Sequence, residues 1–300
     1  MKAALLIAVL AGVPAPEAAD AGAPQVEAVP AKAAATDEID LTSETLTVEH
    51  RRHRATFGGG VVATRGDLEV RCPTLVATYD QRAKVREVVC EGPVSATQGA
   101  KTMTSSKGSF DNAAGRLHLE GDTTLTESGR RFSGDSLDFE VAKSQATLSK
   151  AEAELPGSGA ADPLQPDDGT PFRITADRVV HDFATHRTIF DGHVVAVRRD
   201  LEMRASRLIA VGADDGTIER AWTEGGPVRV VQGDRRGVAR RGTFVGGGQR
   251  LILEGDPVVT EGDSSLRGDR VTFHVGQGRV EISKPRAVFP LQKLQEGEGR

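Results

Sequence analysis

The chain lacks several features that would place it in a common class of protein. Only 4% of its 300 residues are aromatic, whereas 34 are glycine, a balance that predicts many turns and a thin core. Its formal net charge of −5 is too small to indicate nucleic-acid binding. Beyond the N-terminal segment, no apolar run is long enough to cross a bilayer as a helix. We therefore expect neither a nucleic-acid partner nor a later membrane span.

Motifs of catalysis, cofactor binding and metal binding are also missing. There is no Gly-x-Ser-x-Gly elbow and no Cys–His nucleophile pair, and the Gly246-Gly247-Gly248 run lacks the following Lys-Ser/Thr of a phosphate loop. His53 and His186 occupy equivalent positions, but no cysteine or carboxylate has ligand spacing around His53, so we interpret it as a turn residue. The sequence predicts no enzyme, no cofactor and no metal site.

The N-terminal segment has the pattern of an export signal. One lysine is followed by an apolar run of about half a bilayer span and then by small residues, as a signal-peptidase site requires. We predict a cleaved signal peptide at residues 1–23, rather than a short core helix, and a periplasmic location. No cysteine lies near the run, so a lipoprotein anchor is not expected. Residues 24–36, rich in Ala, Pro and acidic residues, are predicted to be a disordered leader.

The rest of the sequence repeats itself. Residues 56–71 reappear as residues 189–204, 133 positions later, and after a one-residue insertion near Pro227 the lag becomes 134. Such repetition defines the folding unit. We therefore predict the following segments: a first domain at 37–156, a breaker-rich linker at 157–170, a second domain at 171–290 and a polar tail at 291–300.

Both copies have the pattern of short strands. Apolar and polar residues alternate in runs such as 68–72, 137–141 and 271–275, and no window of helical length keeps an apolar stripe. Glycine-containing motifs such as Glu91-Gly92-Pro93 and Glu120-Gly121-Asp122 recur about every 30 residues and are interpreted as turns between strands. The pattern predicts an all-β meander in which two sheets face each other across a slender or partly open apolar space.

The two copies differ in charge. Residues 36–157 have 15 Lys and Arg against 19 Asp and Glu, a net charge of −4, whereas residues 171–300 have 21 against 18, a net charge of +3. The second copy includes a basic cluster of Arg235, Arg236, Arg240 and Arg241. A solvated turn, an anionic ligand and an acidic partner domain each remain open as explanations of this cluster.

The second copy contains three successive motifs, the segments Pro171–Asp177, Thr188–Val194 and Leu266–Phe273, and the first copy repeats them less closely at Ile39–Glu44, Phe57–Gly59 and Phe132–Phe139. These motifs resemble the successive motifs of the OstA/LptA family of periplasmic lipopolysaccharide-transport proteins. The resemblance covers nearly all of 37–156 and 171–290, and its specificity lies in the order and spacing of motifs, twice over. A typical member has one such domain, whereas this chain has two in tandem.

The resemblance implies a fold and a function. The fold is two tandem antiparallel β-jellyrolls of open β-taco form, stacked end to end and enclosing an apolar groove. The function is that of a lipopolysaccharide carrier or bridge, in which the groove holds the acyl chains of lipid A and LptC-like and LptD-like proteins are the partners at the two membranes. Two alternatives remain, a structural β-scaffold of the cell envelope without ligand and, less favoured, a carbohydrate-active enzyme, for which the sequence offers no distinctive carboxylate pair.

The inward rows of both copies give the candidate groove residues. In the first copy they are Ile39, Leu41, Phe57, Leu68, Val70, Leu137 and Phe139. In the second copy they are Phe172, Ile174, Phe190, Leu201, Met203, Val271 and Phe273.

Two further expectations concern the cysteines and the ends of the sheet. A tight turn between Ala77 and Val85 would set Cys72 opposite Cys90 and allow a disulfide, unless Pro73 introduces a bulge. Strands around 39–46 and 280–288 are expected to be unpaired edges. Head-to-tail self-association would then place the acidic first copy of one molecule against the basic second copy of the next.

Overall fold

The computed structural model describes residues 39–157 and 169–288, which belong to one compact unit. They form 24 strands, all paired antiparallel, and two short 3-10 helices at His50–Arg52 and Val141–Lys143. The first copy contains β1 Asp40–Thr42, β2 Thr45–Glu49, β3 Arg54–Arg65, β4 Leu68–Tyr79, β5 Val85–Glu91, β6 Val94–Gln98, β7 Lys101–Ser105, β8 Lys107–Asp111, β9 Arg116–Glu127, β10 Arg130–Glu140 and β11 Gln145–Leu155.

The second copy repeats this order. It contains β12 Phe172–Asp182, β13 Arg187–Arg198, β14 Leu201–Gly212, β15 Ile218–Glu224, β16 Val228–Gln232, β17 Arg235–Ala239, β18 Arg241–Val245, β19 Arg250–Glu254, β20 Val258–Glu261, β21 Ser264–Arg267, β22 Arg270–His274, β23 Arg279–Ser283 and β24 Arg286–Val288. The predicted signal peptide, leader and polar tail lie outside the described residues.

The sheet is folded along its length into two facing layers. The eight long strands, β3, β4 and β9 to β14, each bend near the middle, so one half lies in layer A and the other in layer B. In β4, for example, residues 74–79 pair with β5 in layer A, whereas residues 68–71 pair with β6 in layer B. The two layers meet at the line of bends, which we call the crease, and their hairpin turns face each other at the opposite side, which we call the mouth.

In three of the long strands, β3, β9 and β13, glycine at positive φ forms the bend. In β3 the pairing with β4 shifts between Gly58 and Val61, where Gly59 and Gly60 have φ of 83° and 81°. β13 shifts in the same way at Gly192, with φ of 79°. Such values are accessible to glycine without strain. The interpretation of every glycine motif as a turn between strands was therefore wrong in part, because Glu120-Gly121-Asp122 and Asp191-Gly192-His193 lie inside β9 and β13 and bend them.

The two copies share one continuous sheet. β11, the last strand of the first copy, pairs along its whole length with β12, the first strand of the second, from Gln145↔Asp182 to Leu155↔Phe172. No sheet edge lies between the copies. The described edges are at the far ends, where β1 and β2 each pair only with β3, and where β23 and β24 pair only with β22 and β21. These are the edge strands that the sequence predicted.

Candidate functional site

The predicted groove residues lie in the interior between the two layers. Alternation along each strand sends one row of side chains inward, and all fourteen candidates lie in, or pack against, one apolar cluster that runs through both copies. Ten of them are buried, namely Leu68, Leu137, Phe139, Phe172, Ile174, Phe190, Leu201, Met203, Val271 and Phe273. The other four, Ile39, Leu41, Phe57 and Val70, are half-buried. Whether these side chains touch a lipid stays a prediction.

The interior loosens toward the free end of the first copy. The half-buried candidates are all in β1, β3 and β4 or just before β1, whereas every candidate of the second copy is buried. A cavity of about 40 Å³ lies at this end, lined by side chains that include Ile39, Val70, Leu75 and Phe110. A cavity needs about 10–15 Å³ on this measure to hold one water molecule, so the space admits a few waters rather than a whole acyl chain. Entry of a lipid would require the layers to move apart.

Polar side chains join the two layers at the mouth. Hairpin turns of layer B carry basic residues at the mouth, and we call five of these residues the rim cations: Arg65, Lys101, Arg130, Arg198 and Arg235. The side chains of Arg130, Arg198 and Arg235 donate hydrogen bonds to backbone carbonyl oxygens of turns in layer A. Arg65 lies 5.4 Å from the ring centroid of Phe110, and Lys101 lies 4.7 Å from that of Phe183. The mouth is thus closed by contacts from one layer to the other.

Arg130 joins the first copy to the second. Its Nε donates to Gly216 O at 3.1 Å, Nη2 donates to Ala213 O, and Nη1 lies 3.3 Å from His186 Nδ1. The Arg130 residue is only 3% exposed, and its nearest acidic group, Glu127 Oε2, is 3.7 Å away. Burial holds the pKa of the guanidinium below its usual value, although the Glu127 carboxylate opposes the shift. The buried cation therefore has two carbonyl oxygens as hydrogen-bond partners and the carboxylates of Glu127, Asp215 and Asp214 as neighbouring charges.

A buried histidine lies beside this joint. His181 of β12 is fully buried, its Nδ1 lies 2.8 Å from Thr188 Oγ1, and its ring packs against Phe132 and Phe183. Its Nε2 is 3.7 Å from Glu127 Oε2. Burial lowers the pKa of the imidazole, and the neighbouring Glu127 carboxylate only partly opposes this. His181 is thus held neutral inside the apolar interior.

The second copy carries a further polar closure at the mouth. Gln232 donates from Nε2 to Asp200 Oδ2 at 3.0 Å and to His274 O at 2.9 Å, while Gly276 N donates to Asp200 Oδ1 at 2.7 Å. In the first copy Gln98 donates to Asp67 at 2.9 Å in the equivalent arrangement. The same Asp–Gln hydrogen bond therefore occurs at the mouth of each copy.

Reasoning from the sequence missed these mouth residues, although a signal was present. Arg65 and Arg198 are equivalent at a lag of 133, and Lys101 and Arg235 at a lag of 134. Both pairs stand at the ends of strands, where charged residues are ordinarily attributed to solvated turns. Recurrence of a cation at the same place in both copies was the available clue. Arg235, a member of the basic cluster, donates hydrogen bonds to Gly278 O and to Glu261 Oε2, and the function of the cluster as a whole stays open.

The cysteines lie in contact, but not for the predicted reason. The structure joins Cys72 and Cys90 with a Cα–Cα distance of 5.9 Å. The predicted hairpin register was wrong, because Cys90 pairs with Leu75, while Cys72 pairs with Val61 at the bend of β4. The bend at Pro73 turns β4 from layer B to layer A and brings Cys72 over β5. Closure of the bridge in solution stays a prediction.

A family comparison matches both copies. The model of the family described as LptA/(LptD N-terminal domain) LPS transport protein matches residues 40–145 and again residues 173–279, together more than half of the chain. The chain belongs to this family. The first match begins at β1 and the second within β12, so each covers one copy of the folded-over sheet. Family membership gives the chain a part in lipopolysaccharide transport, and the family is one of transport proteins rather than of enzymes.

LptH is among the solved structures to which this chain is similar. LptH from Pseudomonas aeruginosa is described as the LptA homologous periplasmic component of the conserved lipopolysaccharide transport device. It is similar over 37% of this chain and 82% of its own, with 15% identity and a TM-score of 0.35. A comparison with curated proteins gave no match.

Within residues 39–157 and 169–288, no group of three or more His, Cys, Asp or Glu side chains is placed to hold a metal ion. In the same ranges no helix is long and apolar enough to span a membrane. His53 and His186 both occupy turns, with φ of 49° and 50°.

Proposed function

We propose that this protein is a periplasmic carrier of lipopolysaccharide that shields the acyl chains of lipid A between its two layers on the way from the inner to the outer membrane. The observation that carries the proposal is the single apolar cluster through both copies, which ends at half-buried Phe57 and its neighbours. Burying one methylene contributes about 0.8 kcal/mol, so a few acyl chains would leave such an interior very slowly. A mouth along one side allows the charged head group to stay in water, which avoids a large desolvation cost.

Opening at the mouth is the movement that this proposal requires. The crease is continuous backbone, whereas the mouth is closed by side-chain contacts such as those of Arg130 and Arg198. Separation of the turns would widen the interior without breaking the ladders of either layer. The small cavity beside Ile39 then marks the end at which the layers already pack least tightly.

The alternative is a β-scaffold without ligand, and the closed interior of the second copy favours it. Mass spectrometry of an organic extract distinguishes the two. The full chain is exported to the periplasm, purified without detergent and extracted, and a carrier is expected to release lipid A species. A photo-crosslinker at Phe57 should capture lipopolysaccharide in cells, whereas one at the adjacent, outward Thr56 should not. If the extract contains no lipid and neither position gives a crosslink, the carrier function is refuted and the ligand-free scaffold is the remaining explanation.

The ends of the sheet support end-to-end association. On β2, the inward side chains of Leu46 and Val48 are 56% and 44% exposed. Their equivalents on β12 are Val179 and His181, which are fully buried because β11 pairs beside them. A strand added to β2 would therefore cover Leu46 and Val48 as β11 covers their equivalents.

The internal joint also gives a register for that association. β23 is equivalent to the first half of β11 at a lag of 134, so Gln145↔Asp182 of the joint becomes Arg279↔Glu49 between molecules. An arginine of the basic second copy would then face a glutamate of the acidic first copy. LptC-like and LptD-like proteins, as members of the same transport route, would offer comparable strands to the two ends.

Light scattering tests self-association. The average mass should rise with protein concentration and fall with added salt, because exposed charge pairs are screened. Leu46→Lys should reduce the mass, since it places a charge in the row that the added strand covers. The matched control is Thr47→Lys, on the outward side of the same strand. If the protein stays monomeric at high concentration and low salt, self-association is refuted. The edge strands could then pair only with the membrane partners.

A further inference from the structure

The outer face of layer B in the second copy combines exposed apolar side chains with exposed arginines, and we call it the basic face. It is formed by eight paired strands in the order β12, β13, β14, β16, β17, β20, β21 and β24. Neighbouring strands are about 4.8 Å apart, so the face is about 34 Å wide. Val197, Val231 and Val238 point outward and are 37%, 39% and 44% exposed. The exposed arginines of the face are Arg173, Arg204, Arg229, Arg236, Arg267 and Arg286.

The equivalent face of the first copy has a different composition. Four of its threonines are equivalent to valines of the second copy, in the pairs Thr64/Val197, Thr97/Val231, Thr104/Val238 and Thr124/Val258. Three further hydroxyl residues are equivalent to arginines, in the pairs Ser95/Arg229, Thr102/Arg236 and Ser133/Arg267. The inward rows, in contrast, are apolar in both copies, as at Leu68 and Leu201. The fold therefore requires neither valine nor arginine on this face, which points to a contact that only the second copy makes.

The central arginines of the basic face have no acidic partner. Within residues 39–157 and 169–288, no carboxylate forms an ion pair with Arg229, Arg236 or Arg267, all of which are exposed. Arg204 is paired with Glu202 at 2.6 Å, yet it lies directly opposite Arg229 in the ladder between β14 and β16. Like charges in directly opposed positions destabilise a sheet. A negatively charged surface would therefore be attracted to this part of the face.

Two carboxylates beside Arg267 are already paired with other cations. Asp256 and Asp269 line the same surface pocket as Arg267. Asp256 pairs with Arg240 at 2.6 Å, however, and Asp269 pairs with Lys284 at 2.7 Å. The charge of the central arginines therefore remains available to a partner outside the molecule.

A membrane surface suits the basic face better than a folded protein does. Exposed apolar patches rimmed by polar residues mark contacts with proteins or with membranes. The outward residues that the structure describes on this face include no Phe, Tyr or Trp, and aromatic anchors are typical of the centre of a protein interface. Attraction to an anionic lipid surface acts through the summed charge of the arginines and needs no such anchor, with each arginine raising the affinity about fivefold.

We propose that the basic face docks the second copy on a membrane surface whose lipids carry a net negative charge. The first copy, with hydroxyl residues at the equivalent positions, makes no such contact. The basic face includes no residue of the interior, so docking leaves the groove available. The inference goes beyond the transport of lipid A and does not depend on it, because the contact lies on the outside of layer B.

Flotation of the full chain with lipid vesicles tests the proposal. One set of vesicles is phosphatidylcholine, which has no net charge, and the other is phosphatidylcholine mixed with anionic phosphatidylglycerol. Neither set contains lipopolysaccharide. The face variant is Arg229→Gln with Arg236→Gln. The control variant is Arg241→Gln with Arg250→Gln, which removes two exposed arginines from the outer face of layer A in the same copy, and thermal melting checks that all three proteins are folded.

We expect the wild-type chain and the control variant to float with the phosphatidylglycerol vesicles and not with the neutral ones. Added salt should weaken this binding, because it screens exposed charges. The face variant should lose about 25-fold in affinity, at about fivefold for each arginine removed.

Three results would overturn the inference. Unchanged binding by the face variant would place the contact elsewhere on the molecule, and an equal loss in the face and control variants would show that only net charge matters. If the wild type does not float with the phosphatidylglycerol vesicles, an anionic membrane surface is excluded and an acidic protein remains as the occupant of the basic face. The proposed carrier function is tested separately, by lipid extraction and crosslinking, so its failure is distinguishable from each of these results.

Discussion

The equivalent residues Phe57 and Phe190 allow the open and closed ends of the interior to be compared within one molecule. Phe190 is fully buried between Val179 and Leu208, whereas Phe57 is half-buried beside exposed Leu46. Truncation of a buried phenylalanine to alanine costs about 3–5 kcal/mol through lost transfer energy and a residual cavity. For Phe57→Ala we expect about 1–2 kcal/mol, because part of the ring is already in water and the site opens to solvent.

Urea unfolding measures the decrease in the free energy of unfolding for each of the two variants. Circular dichroism reports the whole sheet, and fluorescence of Trp222, the only tryptophan, reports the second copy. The measurements belong at low protein concentration, since end-to-end association would cover Phe57. Equal losses for Phe57→Ala and Phe190→Ala under these conditions would refute the difference in packing between the two ends. A loss below about 1 kcal/mol at Phe190 would refute the close packing of the second copy.

Three other perturbations test the joint and the cysteines. Burial lowers the pKa of His181, so below about pH 6.5 the unfolded chain takes up a proton that the folded chain does not. The free energy of unfolding should therefore decrease as the pH is lowered below this value, by up to about 1.4 kcal/mol per pH unit. In His181→Gln this decrease should be smaller. Gly216→Ala should destabilise the joint more than Gly233→Ala, because a Cβ at Gly216 would lie 1.9 Å from a carbonyl oxygen of the first copy, whereas nothing lies within 4 Å at Gly233. Alkylation of the unreduced, exported protein should find no free thiol at Cys72 or Cys90, and two reactive thiols would show that the bridge is open.

The strands and their inward rows could be predicted from sequence because each is a local property. Alternation at Leu137 and Phe139 fixes which side chains face the interior, and both are fully buried. The recurrence of sequence motifs at a lag of 133 to 134 residues predicted the two copies. The bends could not be predicted in this way, since a glycine at positive φ has the same local signature in a turn as in the middle of β13.

Features that depend on the opposite layer were out of reach of the sequence. The contact between Cys72 and Cys90 depends on β4 passing from one layer to the other, which a simple hairpin register does not include. Arg130 has its partners 83 and 86 residues further along the chain. No local pattern relates such distant turns, so the closure of the mouth became visible only in three dimensions.

The pairing of β11 with β12 makes the junction of the two copies independent of dilution. Separate molecules joined by strand addition come apart as their concentration falls, and their lifetime is set by a dissociation rate. Here both strands belong to one chain, so the second pairing partner is always present at a high effective concentration. In the proposed carrier, a path through two copies therefore has one fewer joint that can dissociate. At low protein concentration the covalently doubled unit stays joined, whereas two single units would separate.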